Sequence, residues 1–194
     1  MMHARAMRHA SAPMDATDPA LIARIQSGDM GALGALYERY DGDVRRVVAR
    51  LGVRPADVDD LVQLTFLDVV GASARYDGRE SAKPWLLGLA VMQVRRTRRS
   101  FARAIARAVA WGREPSPSPP TPEDSSITRQ RAEKMTRALA ALSPKKREVI
   151  VLVTIEGLSG EEVASLLAIP VATVWTRLHH ARRELSLAVY EEES

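Results

Sequence analysis

The chain lacks residues and segments on which several classes of protein depend. Its 194 residues include no cysteine, which excludes disulfide bonds and thiol catalysis. No apolar run approaches the roughly 20 residues that a membrane-spanning helix needs. The start of the chain, MMHARAMRHASAPMDAT, contains no hydrophobic segment of the kind found in a signal peptide. We therefore expect a cytoplasmic protein that does not insert into membranes.

Recognisable catalytic residues are also missing. The sequence has no phosphate-binding loop, no metal-ligand run and no Ser–His–acid combination. His179 and His180 are adjacent, and neighbouring helical residues project about 100° apart, which does not suit chelation of one metal. The adjacent Asp59 and Asp60 lack a third ligand at matching helical spacing. We expect a binding protein that is not an enzyme and that uses no metal and no cofactor.

Acidic residues are absent between Glu80 and Glu114, although the net charge of the whole chain is only +4. Such a block of one sign favours an anionic polymer as partner, and the alternative is a solvated cationic face without a ligand. The cations inside this window are Lys83, Arg95, Arg96, Arg98, Arg99, Arg103, Arg107 and Arg113.

Proline marks the clearest boundary in the chain. Residues 114–124 read EPSPSPPTPED, with five prolines and no periodic apolar residue, which predicts an extended spacer. Apolar residues keep helical spacing on both sides of it, without strand-like alternation. The sequence thus predicts an all-α protein of two small helical domains. These domains span 18–111 and 127–194, a flexible Pro-rich linker spans 112–126, and the N-terminus is disordered over 1–17.

Proline and glycine also mark helix boundaries in the N-terminal domain. Asp18 and Pro19 are predicted to form an N-cap and first-turn pair. Three further helices are predicted from apolar periodicity, over 33–52, from 55 to about 74, and from about 84 to 111.

The third predicted helix, VDDLVQLTFLDVV, carries two lines of residues on nearly opposite faces. The line expected to face the core contains Val58, Leu61, Val62, Thr65 and Val69. The second line contains Asp60, Gln63, Leu67 and Val70. A mixed polar and apolar outer face favours docking of a partner helix, whereas a central helix buried on both sides by its own domain would carry the same pattern.

The next segment, YDGRESAKPWLLGLAVMQVRRTRRS, joins aromatic groups to positive charge. Tyr76 and Trp85 flank Arg79 and Lys83, and an arginine cluster follows. Aromatic faces stack on unpaired bases while arginines hold the backbone, which is how proteins grip single-stranded nucleic acid. Trp85 fits equally well as a core anchor between helices, and the two roles are compatible.

Residues 142–185 carry the pattern of a helix-turn-helix. Ser159 and Glu162 have the spacing of a capping box at the start of a short helix. Residues 168–170 end that helix, and Pro170 is predicted in the first turn of the next one. The buried stripe of this second helix is predicted to contain Val171, Val174, Leu178, Ala181 and Leu185.

The opposite face of this second helix carries groups that suit groove edges and phosphates. Ala172, Thr176, His179, His180 and Arg183 form this face, with Trp175 and Arg182 on its flank. The alternative is an ordinary helical hairpin with a polar solvent face.

Together these motifs resemble the bacterial RNA polymerase sigma factors, specifically the extracytoplasmic-function (ECF) group of the sigma-70 family. The resemblance covers roughly residues 18–188 and implies two helical domains joined by a flexible linker. DDLVQLTFLDVV is similar to the segment that grips the clamp helices of the polymerase β′ subunit. RYDGRESAKPWLLGLAVMQVRR is similar to the segment that melts and reads the −10 promoter element. LSPKKREVIVLVTIEGLSGEEVASLLAIPVATVWTRLHHARREL is similar to the domain that reads the −35 element.

The resemblance implies three sets of site residues. The core-polymerase set is Asp60, Gln63, Leu67 and Val70. The −10 set is Arg79, Lys83, Trp85, Arg95, Arg96, Arg98 and Arg99. The −35 set is Thr173, Trp175, Thr176, Arg177, His179, His180, Arg182 and Arg183. The implied partners are the RNA polymerase core, through its β′ clamp helices and β subunit, and promoter DNA. Binding of an anti-sigma factor is left open.

Two pairs of positions depart from the family pattern. Met92 and Arg96 stand where the family usually has an asparagine and an aspartate, which leaves base preference at the −10 element open. Trp175 and His180 stand where family members often have basic residues, which predicts weaker phosphate attraction and altered base choice. Two alternatives also stay open: a stand-alone helix-turn-helix regulator, and a sigma-like adaptor that has lost promoter reading.

Overall fold

The computed structural model describes residues 16–110 and 135–192, and its regular elements over these ranges are helical, as predicted. The predicted linker and nearly all of the predicted disordered N-terminus lie outside the described residues. The elements are α1 Asp18–Gln26, α2 Met30–Arg50, α3 Pro55–Ala72, a 3₁₀ turn Ser73–Arg75, α4 Lys83–Ala110, α5 over the described residues 135–141, α6 Pro144–Ile150, a π-helical turn Val151–Ile155, α7 Gly160–Leu167 and α8 Val171–Glu192.

Helices α1 to α4 form the N-terminal unit, residues 16–110, around an aliphatic core. The core line predicted for α3, from Val58 to Val69, is buried throughout. Helix α2 ends at Arg50, and Gly52 follows at a φ of +82°, a backbone conformation that glycine adopts without a steric penalty. This turn sends the chain back along α2, so that α3 and α4 pack beside it.

Asp18 was predicted as an N-cap, and that prediction is wrong. Thr17 occupies the N-cap position, while Asp18 lies in the first turn with its side chain only 4% exposed. Its carboxylate accepts hydrogen bonds from Arg39 Nη1 at 2.5 Å, from Tyr40 OH at 2.5 Å and from the Ala82 backbone N–H at 2.7 Å. A buried carboxylate requires such donors, so Asp18 joins α1 to α2 and to the start of α4.

Helices α5 to α8 form the C-terminal unit, residues 135–192. Its valine-rich run at 149–153 is helical but changes geometry within the run. Helix α6 ends at Ile150, and the next five residues form a π-helical turn in which the Glu156 N–H donates to Val151 O at 2.9 Å.

The two units are in direct contact. A Cβ atom placed on Gly88 of α4 would lie 2.7 Å from Leu166 Cδ2 of α7, so the absence of a side chain at Gly88 allows the two helices to meet this closely. On the other side of the contact, Arg147 Nη1 of α6 donates to Leu51 O at the end of α2, at 2.9 Å. Helix α4 therefore lies between the core of its own unit and the surface of the other.

Candidate functional site

The outer face of α3 is an exposed surface with mixed polar and apolar character. Leu67 is 62% exposed, and Val70, Asp60 and Gln63 are exposed beside it. The alternative in which α3 is buried on both sides by its own domain is therefore wrong.

Two apolar residues that the sequence reasoning missed extend this surface. Leu64 and Met30 are both exposed. Leu64 lies one turn from Asp60, so helical periodicity could have found it, whereas the position of Met30 depends on how α2 packs on α3. A shallow groove between these helices is lined by Met30, Leu33, Gly34, Tyr37, Gln63, Phe66 and Leu67. Grouped exposed apolar side chains of this kind mark interaction sites.

Tyr76, in the loop before α4, and Trp85, in its first turn, form an aromatic pair. Trp85 is both packed against the core and partly open to solvent, the two roles expected of it. The Tyr76 and Trp85 rings meet edge to face with centroids 5.2 Å apart, and both rings are half-buried against the core. Burial, together with the charges of Asp18 and Asp77, raises the pKa of Tyr76 to about 12. The Tyr76 hydroxyl donates to the backbone oxygen of Arg79 and so fixes the loop before α4. Trp85 thus anchors this loop while part of its indole stays open to solvent.

Some of the predicted −10 cations are paired within the N-terminal unit. Arg79 Nη2 lies 2.5 Å from Asp77 Oδ2, and Arg96 Nη1 lies 2.7 Å from Asp68 Oδ2. Both pairs are partly exposed to solvent, so each contributes little to stability. Arg99 is exposed.

Other predicted −10 cations are paired across the contact between the units. Arg95 holds Glu148 with two hydrogen bonds, Nε to Oε1 at 3.0 Å and Nη2 to Oε2 at 2.6 Å. Glu156 lies 2.8 Å from Arg50 Nη1 and 3.1 Å from Lys83 Nζ. The hydrogen bond to Glu148 raises the pKa of Arg95. Burial lowers the pKa of Lys83, but the hydrogen bond and charge of Glu156 outweigh it and raise that pKa overall. The alternative of a solvated cationic face therefore does not describe Lys83 and Arg95, which are paired, whereas Arg99, Arg103 and Arg107 are exposed.

Two arginines from different units meet at the end of α2. Arg98 and Arg147 both donate to Leu51 O, and burial lowers the pKa of each guanidinium. The charge of Arg98 lowers the pKa of Arg147 further. Beside them a cationic cleft runs between the units, lined by Arg95, Arg98, Arg99, Pro144, Lys145, Glu148, Leu167, Ile169 and Arg177.

Met92 and Arg96, the two residues of α4 that depart from the family pattern, are both exposed on its surface. Met92 is exposed, and Arg96 is bound to Asp68. The same carboxylate also accepts from Gln93 Nε2 at 2.7 Å. The cation at position 96 is therefore already neutralised by a neighbouring helix.

The helix-turn-helix begins with the predicted capping box. The Glu162 N–H donates to Ser159 Oγ at 3.2 Å, and the Ser159 N–H donates to Glu162 Oε2 at 2.8 Å. Ala168 then ends α7 in the left-handed region at a φ of 52°. Helix α8 begins at Val171, so Pro170 precedes the first turn in which it was predicted, and its carbonyl accepts from the Val174 N–H.

The buried stripe of α8 is mostly as predicted. Val174, Leu178 and Ala181 are buried and Leu185 is half-buried, but Val171 is exposed and its prediction is wrong. Val171 is the first residue of α8, at the edge of its packing against α6 and α7.

The face of α8 opposite this stripe is exposed. Its exposed members are Trp175, Thr176, His179, His180, Arg182 and Arg183, while Thr173 and Arg177 are half-buried. One edge of the Trp175 indole packs on Gly160 at the start of α7, where an added Cβ would lie 2.5 Å from Cζ2. The His179 and His180 rings stand at 70° with centroids 5.7 Å apart. The exposed face of α8 therefore carries hydrogen-bonding and cationic groups.

Over residues 16–110 and 135–192, no group of three or more metal-ligating side chains comes together. Within the same ranges, no helix is long and apolar enough to cross a membrane.

Each of the two units contains most of a match to a known family domain. Residues 36–107 match sigma-70 region 2, and residues 132–185 match sigma-70 region 4. The chain belongs to the sigma-70 family. A stand-alone helix-turn-helix regulator would not carry region 2, so that alternative is excluded. The prediction of a sigma factor that binds RNA polymerase and directs promoter recognition is confirmed.

Relatives of this sigma factor place it in the ECF group. It is 29% identical over 174 residues to the RNA polymerase sigma factor NccH of Alcaligenes xylosoxydans xylosoxydans, a match that covers 87% of this chain and 92% of the relative. It is also 29% identical over 187 residues to the ECF RNA polymerase sigma-E factor of Escherichia coli K12, with the same coverage of both chains.

Solved structures of sigma factors share its fold. CnrH, in complex with the cytosolic domain of CnrY, superposes with a TM-score of 0.65 at 28% identity, and the match covers 91% of this chain and 99% of CnrH. The sigma factor RpoE of Bartonella quintana, in complex with the anti-sigma factor NepR, gives a TM-score of 0.65 at 21% identity, covering 79% and 94% of the two chains.

Proposed function

We propose that the outer face of α3 is the surface by which this sigma factor binds the β′ clamp helices of the polymerase core. The observation that carries the proposal is the exposure of Leu67 and Val70 in line with Asp60 and Gln63, on a helix whose other face is buried. An amphipathic surface of this kind suits a partner helix, with apolar contacts for affinity and polar contacts for register.

We infer that α4 and α8 serve different promoter elements. The loop before α4 and its first turns combine Trp85 with Arg79, Lys83 and Arg95, which suits an unpaired −10 strand. The exposed face of α8 suits the major groove of the −35 element. The remaining assigned residues are Arg96, Arg98 and Arg99 at −10, and Thr173, Trp175, Thr176, Arg177, His179, His180, Arg182 and Arg183 at −35.

We also propose an anti-sigma factor as a further partner. CnrH and RpoE were each solved with a bound protein, the cytosolic domain of CnrY and NepR respectively. A sigma factor held in this way acts in the cytoplasm, by binding and not by catalysis. The domain boundaries that we propose remain 18–111 and 127–194, on either side of a Pro-rich linker at 112–126.

Replacement of Leu67 by Arg tests the polymerase surface. A charge placed in an apolar contact costs a few kcal/mol. We therefore expect affinity for core enzyme to fall about a hundredfold, which corresponds to about 2.8 kcal/mol at 1.4 kcal/mol per tenfold. The matched control is Phe101→Arg on α4, because Phe101 is 63% exposed and Leu67 is 62% exposed. Core binding is measured by titration of labelled sigma factor, with helicity checked by circular dichroism.

Equal losses from Leu67→Arg and Phe101→Arg, or no loss from either, would show that α3 does not bind the clamp helices. Run-off transcription with the wild-type holoenzyme separates the remaining alternative. A protein that binds core but supports no promoter-dependent transcription would be the sigma-like adaptor.

A further inference from the structure

The first half of α8 has an exposed surface that is mainly apolar. Val171 is 39% exposed, Trp175 is 49% exposed, and Ala172 is exposed beside them. Residues three and four positions apart lie next to each other on a helix, so these three side chains form one apolar patch. The imidazole and guanidinium groups of the exposed face come only in the second half of the helix, at His179, His180, Arg182 and Arg183.

The contact with Gly160 of α7 fixes which edge of the Trp175 indole points outward. A Cβ atom added at Gly160 would lie 2.5 Å from Cζ2, 2.9 Å from Cε2 and 3.3 Å from Cη2, so these atoms form the edge that packs on α7. The opposite edge, with Cε3 and Cζ3, carries only C–H groups. Because 49% of Trp175 is exposed, this hydrocarbon edge is the part of the ring that remains open to a ligand.

The polar groups near the apolar patch are already used or absent. Thr176 Oγ1 donates to Ala172 O at 2.9 Å, within the helix. Residues 171–176 read VATVWT and include no charged side chain and no side-chain amide. Arg177, the first cation of the helix, is half-buried and lines the cleft beside Lys145 and Glu148. A molecule that meets the first half of α8 therefore meets mostly hydrocarbon.

A surface of this composition can distinguish one feature of the DNA major groove. Guanine is read by the paired donors of arginine or by lysine, adenine by asparagine or glutamine, and cytosine by a carboxylate. None of these side chains occurs at 171–176. The indole N–H is a single donor, and a purine N7 acceptor is present in A·T and G·C pairs alike, so this donor does not separate them. The C5-methyl group of thymine is the remaining feature, and apolar side chains bind it.

We propose that Trp175, together with Val171 and Ala172, reads C5-methyl groups of thymine, so that this sigma factor selects thymine at the base pair facing the indole. The first residues of a recognition helix are those that contact base edges in the major groove. Phosphate attraction from Arg182 and Arg183 holds the patch against the groove. The proposal rests on the proposed assignment of α8 to the −35 element.

A selection from random duplexes identifies the base pair that faces the indole. The full-length protein is presented, at low salt, with duplexes that contain a randomised segment about one helical turn long, roughly 10 base pairs. One library is synthesised with thymidine triphosphate and the other with deoxyuridine triphosphate, which lacks only the C5-methyl group. The thymidine library should yield a motif with thymine at one or more positions. The deoxyuridine library should lose enrichment at those positions.

A single-site comparison then measures the contribution of one methyl group. The selected duplex is made with thymine or with uracil at the enriched position, and fluorescence anisotropy gives the two affinities. Loss of the methyl should weaken binding about fourfold, the effect of returning one buried methyl-sized group to water. The ratio should be the same at low and high salt, because the methyl carries no charge. Equal affinities for thymine and uracil would overturn the proposal.

Cytosine and 5-methylcytosine at the same position give a second comparison. Both bases pair with guanine, so the comparison removes the effect of A·T pairs on the shape of the duplex. The methylated base should bind about fourfold more tightly than cytosine, for the same reason as before. Without such a gain, a preference for thymine would come from DNA shape and not from the indole.

Trp175→Arg assigns the effect to the indole. The guanidinium pairs with guanine, so selection should move from thymine toward guanine, and the thymine-to-uracil affinity ratio should fall to about one. Trp175→Phe keeps an apolar ring and should keep most of the ratio. The matched control is Leu187→Arg, which adds the same charge at a residue of α8 that is 54% exposed; it should leave the ratio at about four. A ratio that is unchanged in Trp175→Arg would show that Trp175 does not read the methyl.

Arg183→Ala distinguishes failure of this proposal from failure of the proposed function. If thymine and uracil bind equally but Arg183→Ala weakens duplex binding, α8 contacts DNA and only the reading of the methyl group is wrong. If neither the methyl group nor Arg183→Ala changes affinity, the assignment of α8 to the −35 element is wrong as well. If Trp175→Arg lowers affinity for core enzyme and leaves duplex binding unchanged, the apolar patch binds polymerase and not DNA.

Discussion

His180 and Arg183 lie on the same exposed face of α8 but offer different donors to DNA. An arginine presents a forked guanidinium that can make two parallel hydrogen bonds, whereas a histidine presents two separate ring nitrogens. His180 would therefore make a single hydrogen bond where family members often have a basic residue. Trp175 replaces a second such cation and uses part of its ring to pack on Gly160. These residues leave the phosphate attraction of α8 mainly to its arginines.

His180→Arg should strengthen binding to a −35-bearing duplex, because it adds a phosphate or guanine contact. If the contact is to phosphate, the slope of log affinity against log salt should steepen by about one unit. Arg183→Ala should weaken binding to all sequences similarly and make the slope shallower. The control is Arg137→Ala, an exposed arginine of the same unit on a different helix, α5. Fluorescence anisotropy over a salt series measures all three. Identical affinities and slopes for both α8 variants and the wild type would mean that this face does not touch DNA.

At two places, helices approach each other closely because a glycine presents no side chain between them. Gly160 opens α7, and the Trp175 indole of α8 occupies the space that a Cβ would need. Gly88 does the same for the contact between α4 and α7. In both places the glycine has a negative φ, so space and not backbone conformation is what the position requires. The angle between α7 and α8, and with it the direction of the face proposed to bind DNA, depends on the contact between Gly160 and Trp175.

Gly160→Ala should destabilise the protein by about 1–3 kcal/mol, because the new methyl group overlaps the indole. In a Trp175→Ala background the same substitution should cost much less, so the two changes should be strongly coupled in a double-mutant cycle. Gly34→Ala on α2 is the control, since nothing lies within 4 Å of its Cβ position, and it should be neutral or slightly stabilising. Chemical denaturation gives the free energies of unfolding. Additive effects at positions 160 and 175 would show that the indole does not set the packing of α7 on α8.

At the scale of the whole molecule, two requirements oppose each other. The ion pairs of the buried Glu148 and Glu156 favour contact between the units. Simultaneous binding of the proposed DNA surfaces to the −10 and −35 elements, which lie about 25 base pairs or roughly 85 Å of B-DNA apart, requires the units to separate. The residues between the described units, 111–134, can span at most roughly 80 Å when fully extended. That reach is comparable to the separation of the −10 and −35 elements. Covalent connection then keeps the C-terminal unit near its element once the N-terminal unit is bound to polymerase.

Cleavage between the units should sharply reduce promoter-dependent transcription even with both halves present. A connected second domain has an effective concentration of the order of millimolar, far above that of a free half at micromolar concentration. A protease site inserted within 112–126 allows the comparison, and the same protein before cleavage is the control. Run-off transcription measures the effect. Transcription that survives cleavage unchanged would show that the two units do not act as one tethered reader.

The features that the sequence determined by itself are local. The capping box of Ser159 and Glu162 depends on atoms three residues apart, and the outer line of α3 follows from 3.6-residue periodicity. The exposed face of α8 follows from the same periodicity, which failed only at Val171, where the helix begins. Helix content, the order of the elements and the surfaces proposed for polymerase and DNA could therefore be predicted from one chain.

The tertiary structure alone decided which charges meet. Asp18 has the sequence pattern of a helix cap, but its buried carboxylate accepts from α2 and from the residue just before α4. Arg95 and Lys83 have no acidic neighbour in their sequence window, yet they pair with glutamates more than 50 positions away along the chain. Periodicity states which face of a helix a residue occupies, but it does not state what packs against that face. An ion pair depends on distance in space, which carries no signature in the spacing of residues along one sequence. The contact between the units could be found only once α4 of the N-terminal unit and α6 and α7 of the C-terminal unit were placed.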